Sequence, residues 1–277
     1  MSPKVPLAGV IGHPIAHSKS PRLHGHWLSE YGLRGHYVPL DVAPDDLPQV
    51  LAALPRAGFV GANVTIPHKQ AVLALVDVVS ERAQRIGAAN MLTFLEDGRI
   101  EADSTDGYGF AENLAQSVPD WDPASGPAAV FGAGGAARAV VDALIAAGAP
   151  EVRLANRSHG KAEEIARTFG PKVVVSDWAD AEQMVGGAAT LVNTTSLGME
   201  GQPPFTLSLA GLTPGAVASD LVYVPLETPF LTEAARHGAR TVDGLGMLLH
   251  QAVPAFSRWF GRRPEVTPDL RAAMLAP

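Results

Sequence analysis

Short apolar runs alternate with helically spaced ones along most of this chain. Leu7–Gly12 reads as a buried strand. Leu23, Trp27 and Leu28 then share one helical face that closes at Gly32, with Ser20 expected as the N-cap and Pro21 at the first helical position. Residues 36–42 read as a second strand, 47–54 as a short helix and 59–66 as a third strand, which Pro67 ends because it has no N–H to give a ladder. Ala71, Val72, Leu75, Val76 and Val79 fall at helical spacing, so Lys69 is expected in the first turn of a helix just past a strand. Residues 91–95 and 99–102 flank Asp97-Gly98, a hairpin signal, and a helix is expected to begin near Asp106. Strands alternating with helices predict a largely parallel sheet, with ligands at the carboxyl ends of its strands. Ser18, Ser20, Asn63, Thr65 and Lys69 all fall near that edge, and Asp106 returns a carboxylate to it.

Residues 117–127 are rich in proline, glycine and acid and read as a connection into a second unit. Ala128–Phe131 is then a strand, and Gly132-Ala133-Gly134-Gly135-Ala136-Ala137 opens a helix. This is G-x-G-x-x-A between strand and helix, where glycines admit a pyrophosphate to the backbone and the helix terminus favours its charge. Val152–Ala155 supplies the next strand of a βαβ unit. An acid after that strand would suit the ribose of NAD. This chain has Asn156, Arg157, Ser158 and Lys161 instead, which suit the 2′-phosphate of NADP. Residues 191–199 and 216–223 read as strands, 232–238 as a helix, Arg240–Val242 as a last strand, and 247–259 as one helix bearing Gln251. The tail reads as a final short helix.

Composition narrows the class. With 277 residues the chain can hold two domains, and a net charge of −7 argues against nucleic-acid or anionic-membrane partners. There is no cysteine, so disulfides and thiolate metal sites are excluded. The histidines at 13, 17, 24, 26 and 36 have no carboxylate at ligand spacing, so no metal is expected. The first twenty residues lack a signal-peptide core and the most apolar helix is broken by Arg138 and Asp142, so a cytoplasmic protein is expected.

Taken together, Ser18-Lys19-Ser20-Pro21, Asn63-Val64-Thr65-Ile66-Pro67-His68-Lys69, Gly87-Ala88-Ala89-Asn90 and Thr105-Asp106-Gly107 resemble the substrate-side motifs of the shikimate dehydrogenases, in order. Gly132 to Ala136, Asn156-Arg157-Ser158, residues 193–198, Tyr223-Val224-Pro225 and residues 247–251 resemble the family's remaining motifs. The likeness covers nearly the whole chain. Two residues depart from it: Met91 stands where threonine is usual and Ser104 where asparagine is usual.

The resemblance implies an α/β fold of two domains: an N-terminal, mostly parallel substrate domain (1–110, joined by 247–277) and a C-terminal Rossmann NADP-binding domain (111–246), with a cleft between them. It implies reversible NADPH-dependent reduction of 3-dehydroshikimate to shikimate, on the route to chorismate and the aromatic amino acids. Lys69 would be the acid/base and Asp106 its orienting carboxylate. Ser18 and Ser20 would hold the substrate carboxylate, while Asn63, Thr65, Asn90, Asp106, Tyr223 and Gln251 would bind hydroxyls or line the ring. Gly132, Ala133, Gly134, Gly135 and Ala136 would cradle the pyrophosphate. Asn156, Arg157, Ser158 and Lys161 would take the 2′-phosphate, Leu221 and Gly244 the nicotinamide, and Glu81 would lie near the cofactor. The partner is then a small molecule, with no nucleic acid or membrane, in a monomer or homodimer. The alternatives are an NAD-dependent quinate/shikimate dehydrogenase and a catalytically silent NADP-binding sensor.

Overall fold

The computed structural model describes residues 5–276. These form two compact units: one runs up to Thr105 and resumes from Gln251 onward, and the other is Asp106–His250.

The first unit is built on six strands, β1 (Leu7–Gly12), β2 (His36–Asp41), β3 (Phe59–Val64), β4 (Val78–Val79), β5 (Met91–Phe94) and β6 (Ile100–Asp103). Their order is β2-β1-β3-β5-β6-β4. β1 runs parallel to β2 and β3, β4 runs parallel to β6, and β5 is antiparallel to both β3 and β6. Side chains alternate across the sheet. Ile11, Val64 and Leu92 therefore bury one face against Leu47 and Leu51, and Ala8, Val10, Tyr37 and Met91 bury the other against Ala255 and Trp259.

The helix Ala252–Phe260 rests directly on this sheet. Trp259 Nε1 donates to Leu92 O at 3.1 Å. A Cβ on Gly61 would sit 2.0 Å from that nitrogen, so only glycine lets the helix approach so closely. The last helix, Pro268–Leu275, packs on Ser20–Glu30.

Four expectations are corrected here. β3 stops at Val64, two residues early, and Lys69 lies in a turn before a five-residue 3₁₀ helix, Ala71–Leu75. The helical spacing expected through Val79 fails because Val78–Val79 pairs with β6 instead. With the strand ended, alternation no longer holds past Val64, and Ile66 is 75% exposed. Ser20 is not an N-cap; Lys19 holds that place, without a side-chain cap bond. The helix expected over 247–259 is broken into Leu245–His250 and Ala252–Phe260. Pro254 accounts for the break: it has no N–H for the carbonyl of His250, four residues back.

The second unit has six parallel strands, β7 (Ala128–Phe131), β8 (Val152–Ala155), β9 (Val173–Ser176), β10 (Thr190–Asn193), β11 (Val217–Asp220) and β12 (Arg240–Val242). Their order is β12-β11-β10-β7-β8-β9. This is the doubly wound order of the Rossmann fold, and its reversal lies between β7 and β10. Val130 and Leu154 face helices Gly135–Ala146 and His159–Phe169, while Phe131 and Leu191 face Phe205 and Phe230. The strand expected to run to Tyr223 ends at Asp220, where the backbone turns to satisfy that carboxylate.

Among the aromatic groups of the first unit, His24 is wholly buried, stacks on Tyr37 at 3.9 Å between ring centroids, and has no hydrogen-bond partner at either nitrogen. Burial holds its pKa down at about 3. The unfolded chain therefore takes up a proton below about pH 6.5 that the folded chain refuses, so folding stability falls as pH drops through that window. Between pH 6.5 and 5 the wild type should lose about 2 kcal/mol more than His24→Met. Urea unfolding of both proteins at each pH checks this. The burial-lowered His250, present in both, cancels in the difference.

Candidate active site

Ser18 and Ser20 follow β1 at its carboxyl end. Ser20 is buried, and its side chain lies near the Tyr37 phenol and does not cap the helix. Its N–H reaches Ser18 Oγ at 3.3 Å. Lys19, between them, is drawn away to Met274 O at 2.9 Å.

β3 delivers Asn63, Thr65 and Lys69. Asn63 is buried; it accepts from Tyr37 Oη at 2.7 Å and donates to Asn90 O at 3.0 Å. Thr65 is half-buried, its N–H bonded to Ile11 O. The turn carrying Lys69 is pinned from both sides. His68 is buried and its Nε2 donates to Val42 O at 2.7 Å. Lys69 O accepts from Ala89 N at 2.8 Å. A helix-terminal field at Lys69 has no basis here, since the 3₁₀ helix is too short to build one. The backbone, not a dipole, sets where Lys69 starts.

Asn90 is the centre of this half. Its Nδ2 donates to Thr105 Oγ1 and to Gln251 Oε1, both at 3.0 Å, and its Oδ1 accepts from Thr105 N at 2.7 Å. Thr105 Oγ1 donates in turn to Gln251 O at 2.8 Å. The structure thus joins Tyr37, Asn63, Asn90, Thr105 and Gln251 through one set of hydrogen bonds. Tyr37 and His68 escaped the sequence reading. The signal for Tyr37 was a single aromatic in a strand otherwise polar or exposed.

Glu81, in the same unit, is exposed in the first turn of Glu81–Ile86. Ser80 caps that helix, and an acid there complements its positive end, which already explains the residue. Met91 and Ser104 are both buried, beside Asn90 and Thr105.

In the second unit, Asp106 is buried as the first residue of the helix Asp106–Ser117. Tyr223 is half-buried, and burial raises its pKa. The loop that carries it is held by Asp220, fully buried at the end of β11. Burial pushes the Asp220 pKa up, opposed by bonds from Thr228 Oγ1 (2.6 Å), Val222 N (2.9 Å) and Asn193 Nδ2 (3.0 Å). Leu221 and Gly244 lie together: a Cβ on Gly244 would fall 2.3 Å from Leu221 O.

The glycine loop follows β7. Gly132 has φ +113°, and a Cβ there would meet Thr194 Oγ1 at 2.5 Å, so this glycine serves the loop itself. Gly134 differs. Its φ is −87°, open to any residue, and a Cβ on it or on Gly135 would meet nothing within 4 Å. The helix N-terminus behind it has no side-chain cap. Open space over a backbone whose N–H groups lack a cap fits a pyrophosphate. After β8, Asn156 Nδ2 donates to Ser158 O at 2.9 Å and shapes the turn, while Arg157, Ser158 and Lys161 are exposed. Among the described residues neither Arg157 nor Lys161 pairs with a carboxylate, so both charges are available to a phosphate. No group of three metal-ligating side chains occurs among the described residues, and no helix is long and apolar enough to cross a membrane.

Gly134→Val should leave the melting temperature and far-UV circular dichroism unchanged while weakening NADP binding about tenfold or more, because the added side chain fills ligand space only. Calorimetric titration with NADP checks it.

Three family models match the chain: the shikimate dehydrogenase substrate binding domain over 10–92, shikimate/quinate 5-dehydrogenase over 113–197, and the shikimate 5′-dehydrogenase C-terminal domain over 244–274. The shikimate dehydrogenase (NADP(+)) of Paracoccus denitrificans is 64% identical over 271 residues, covering 98% of this chain and 96% of its own. The structure of shikimate 5-dehydrogenase from Thermus thermophilus, in complex with NADP(H) and shikimate, is similar with a TM-score of 0.86 at 40% identity, covering 97% of this chain and 98% of its own. Quinate dehydrogenase from Corynebacterium glutamicum, in complex with NAD, gives 0.89 at 33% identity over 98% of each chain. Similar to these proteins along nearly its whole length, the chain belongs to the shikimate dehydrogenase family.

Proposed function

We propose that this protein catalyses the reversible reduction of 3-dehydroshikimate to shikimate with NADPH, in the biosynthesis of chorismate and the aromatic amino acids. It is an NADP-dependent oxidoreductase by its relatives. The observation that carries the residue assignment is the hydrogen-bond set joining Asn63, Asn90 and Gln251 beside the pinned turn of Lys69.

A cyclic hydroxy acid presents one carboxylate and several hydroxyls. Ser18 and Ser20 supply donors for the carboxylate. Asn63, Thr65, Asn90, Gln251 and Tyr223 supply amide and hydroxyl groups that take the ring hydroxyls in fixed directions. Bound NADPH supplies a hydride to the carbonyl carbon. Lys69 donates a proton to the carbonyl oxygen as it becomes an alkoxide, and retrieves it in the reverse direction. Asp106 orients the Lys69 ammonium and accepts from a substrate hydroxyl. The loop from Gly132 to Ala136 carries the pyrophosphate, Asn156, Arg157, Ser158 and Lys161 the 2′-phosphate, and Leu221 and Gly244 the nicotinamide. Glu81 is assigned to the cofactor side by family likeness alone.

The similarity to an NAD-bound quinate dehydrogenase favours a second reading, quinate oxidation with NAD. Against it stand the absence of an acid after β8 and the unpaired charges of Arg157 and Lys161. Small size, negative charge and, among the described residues, no helix long and apolar enough to cross a membrane fit a cytoplasmic enzyme acting on a small molecule.

Absorbance of reduced nicotinamide, followed with shikimate or quinate and with NADP or NAD, tests the reading. Rapid reduction of NADP with shikimate is expected; reduction of NAD alone, or only with quinate, rejects it. Lys69→Ala should lower kcat by roughly 10²–10⁴ while leaving NADP affinity unchanged, and a variant with near-normal kcat would remove Lys69 from the chemistry.

A further inference from the structure

Tyr37 bonds Asn63 and Asn63 bonds Asn90; of the three, Tyr37 alone has no proposed contact with substrate. It is buried near the start of β2, and Asn63 lies on β3 across β1. Its phenol proton goes to Asn63 Oδ1 at 2.7 Å. Asn63 Nδ2 gives one proton to Asn90 O at 3.0 Å. The chain therefore has one polarity: Tyr37 to Asn63, Asn63 to Asn90. A phenol has a single proton, so this polarity fixes the Asn63 amide with its oxygen toward Tyr37 and its second N–H left to give. Were the amide turned over, its NH₂ would face the phenol and its oxygen would face the Asn90 carbonyl, two acceptors together.

The ring of Tyr37 is itself held. His24 stacks on it at 3.9 Å with the planes 5° apart, and Trp259 packs at 6.3 Å between centroids. His24 makes no hydrogen bond, so it holds the ring by packing alone.

Resting on the proposed function, we infer that Tyr37 is a positioning residue: its hydroxyl locks the Asn63 amide so that an N–H, never the carbonyl oxygen, meets a hydroxyl oxygen of the substrate.

Tyr37→Phe keeps the ring, its stack on His24 and the sheet packing, and removes only the hydroxyl. In the full-length protein, KM for shikimate should rise about fivefold or more, with kcat within about twofold and NADP affinity unchanged. Asn63→Ala sets the comparison. In that background the Tyr37 hydroxyl has no amide to hold, so adding Tyr37→Phe should raise KM no further. Additive effects would make Tyr37 a structural residue only and overturn the inference, as would an unchanged KM in Tyr37→Phe. Wild-type protein that fails to turn over shikimate with either cofactor would overturn the proposed function, and this inference with it.

Discussion

A buried amide must find partners on all its edges, and the first unit is arranged around one such group. Asn90 meets Thr105 and Gln251 with its side chain, and its backbone takes bonds from Val64 and Asn63 and gives one to Asp103. The end of β3, the end of β6 and the start of the returning C-terminal segment are thereby tied to one residue. Each buried polar group stripped of its partner costs about 1–3 kcal/mol, so these segments cannot drift independently. The constraint that holds the fold at this point also fixes the directions of the polar groups assigned to substrate.

The second unit has its own buried hub in Asp220, which gathers Asn193, Val222 and Thr228. Here the donors offset the cost of burying a carboxylate, and the loops after β10 and β11 take their shape from that exchange. Glycines do the complementary work. Gly61, Gly132 and Gly244 are required by close approaches of protein to protein. Gly134 and Gly135 face open space, and that contrast separates the glycines that serve the fold from those that serve a ligand.

Much of both units was legible in the chain. Ala128–Phe131 and Val152–Ala155 appear as the sequence predicts, because a strand buried on both faces is a short apolar run bounded by turn residues. The segment after Pro67 was misread, since Val78 and Val79 fit a helical stripe equally well and only the neighbouring β6 draws them into a sheet. Ser20 was misread as a cap, since local spacing could not show that the helix starts one residue earlier, with Lys19 in that place. The helix break at Gln251 was legible in Pro254 and was passed over.

What the sequence determined by itself is what depends on covalent or local chemistry. It gave the alternation of elements, the glycine cradle after β7, the basic turn after β8 in place of an acid, and the identities of Lys69, Asp106 and the polar residues at strand ends. The tertiary structure alone decided the partners. That Tyr37 reaches Asn63, that His68 anchors the Lys69 turn, and that Gln251 returns to Asn90 across 161 positions are contacts between residues distant in the chain. Hydrogen-bond satisfaction acts on what is near in space, and nearness in space is settled only when the sheets close.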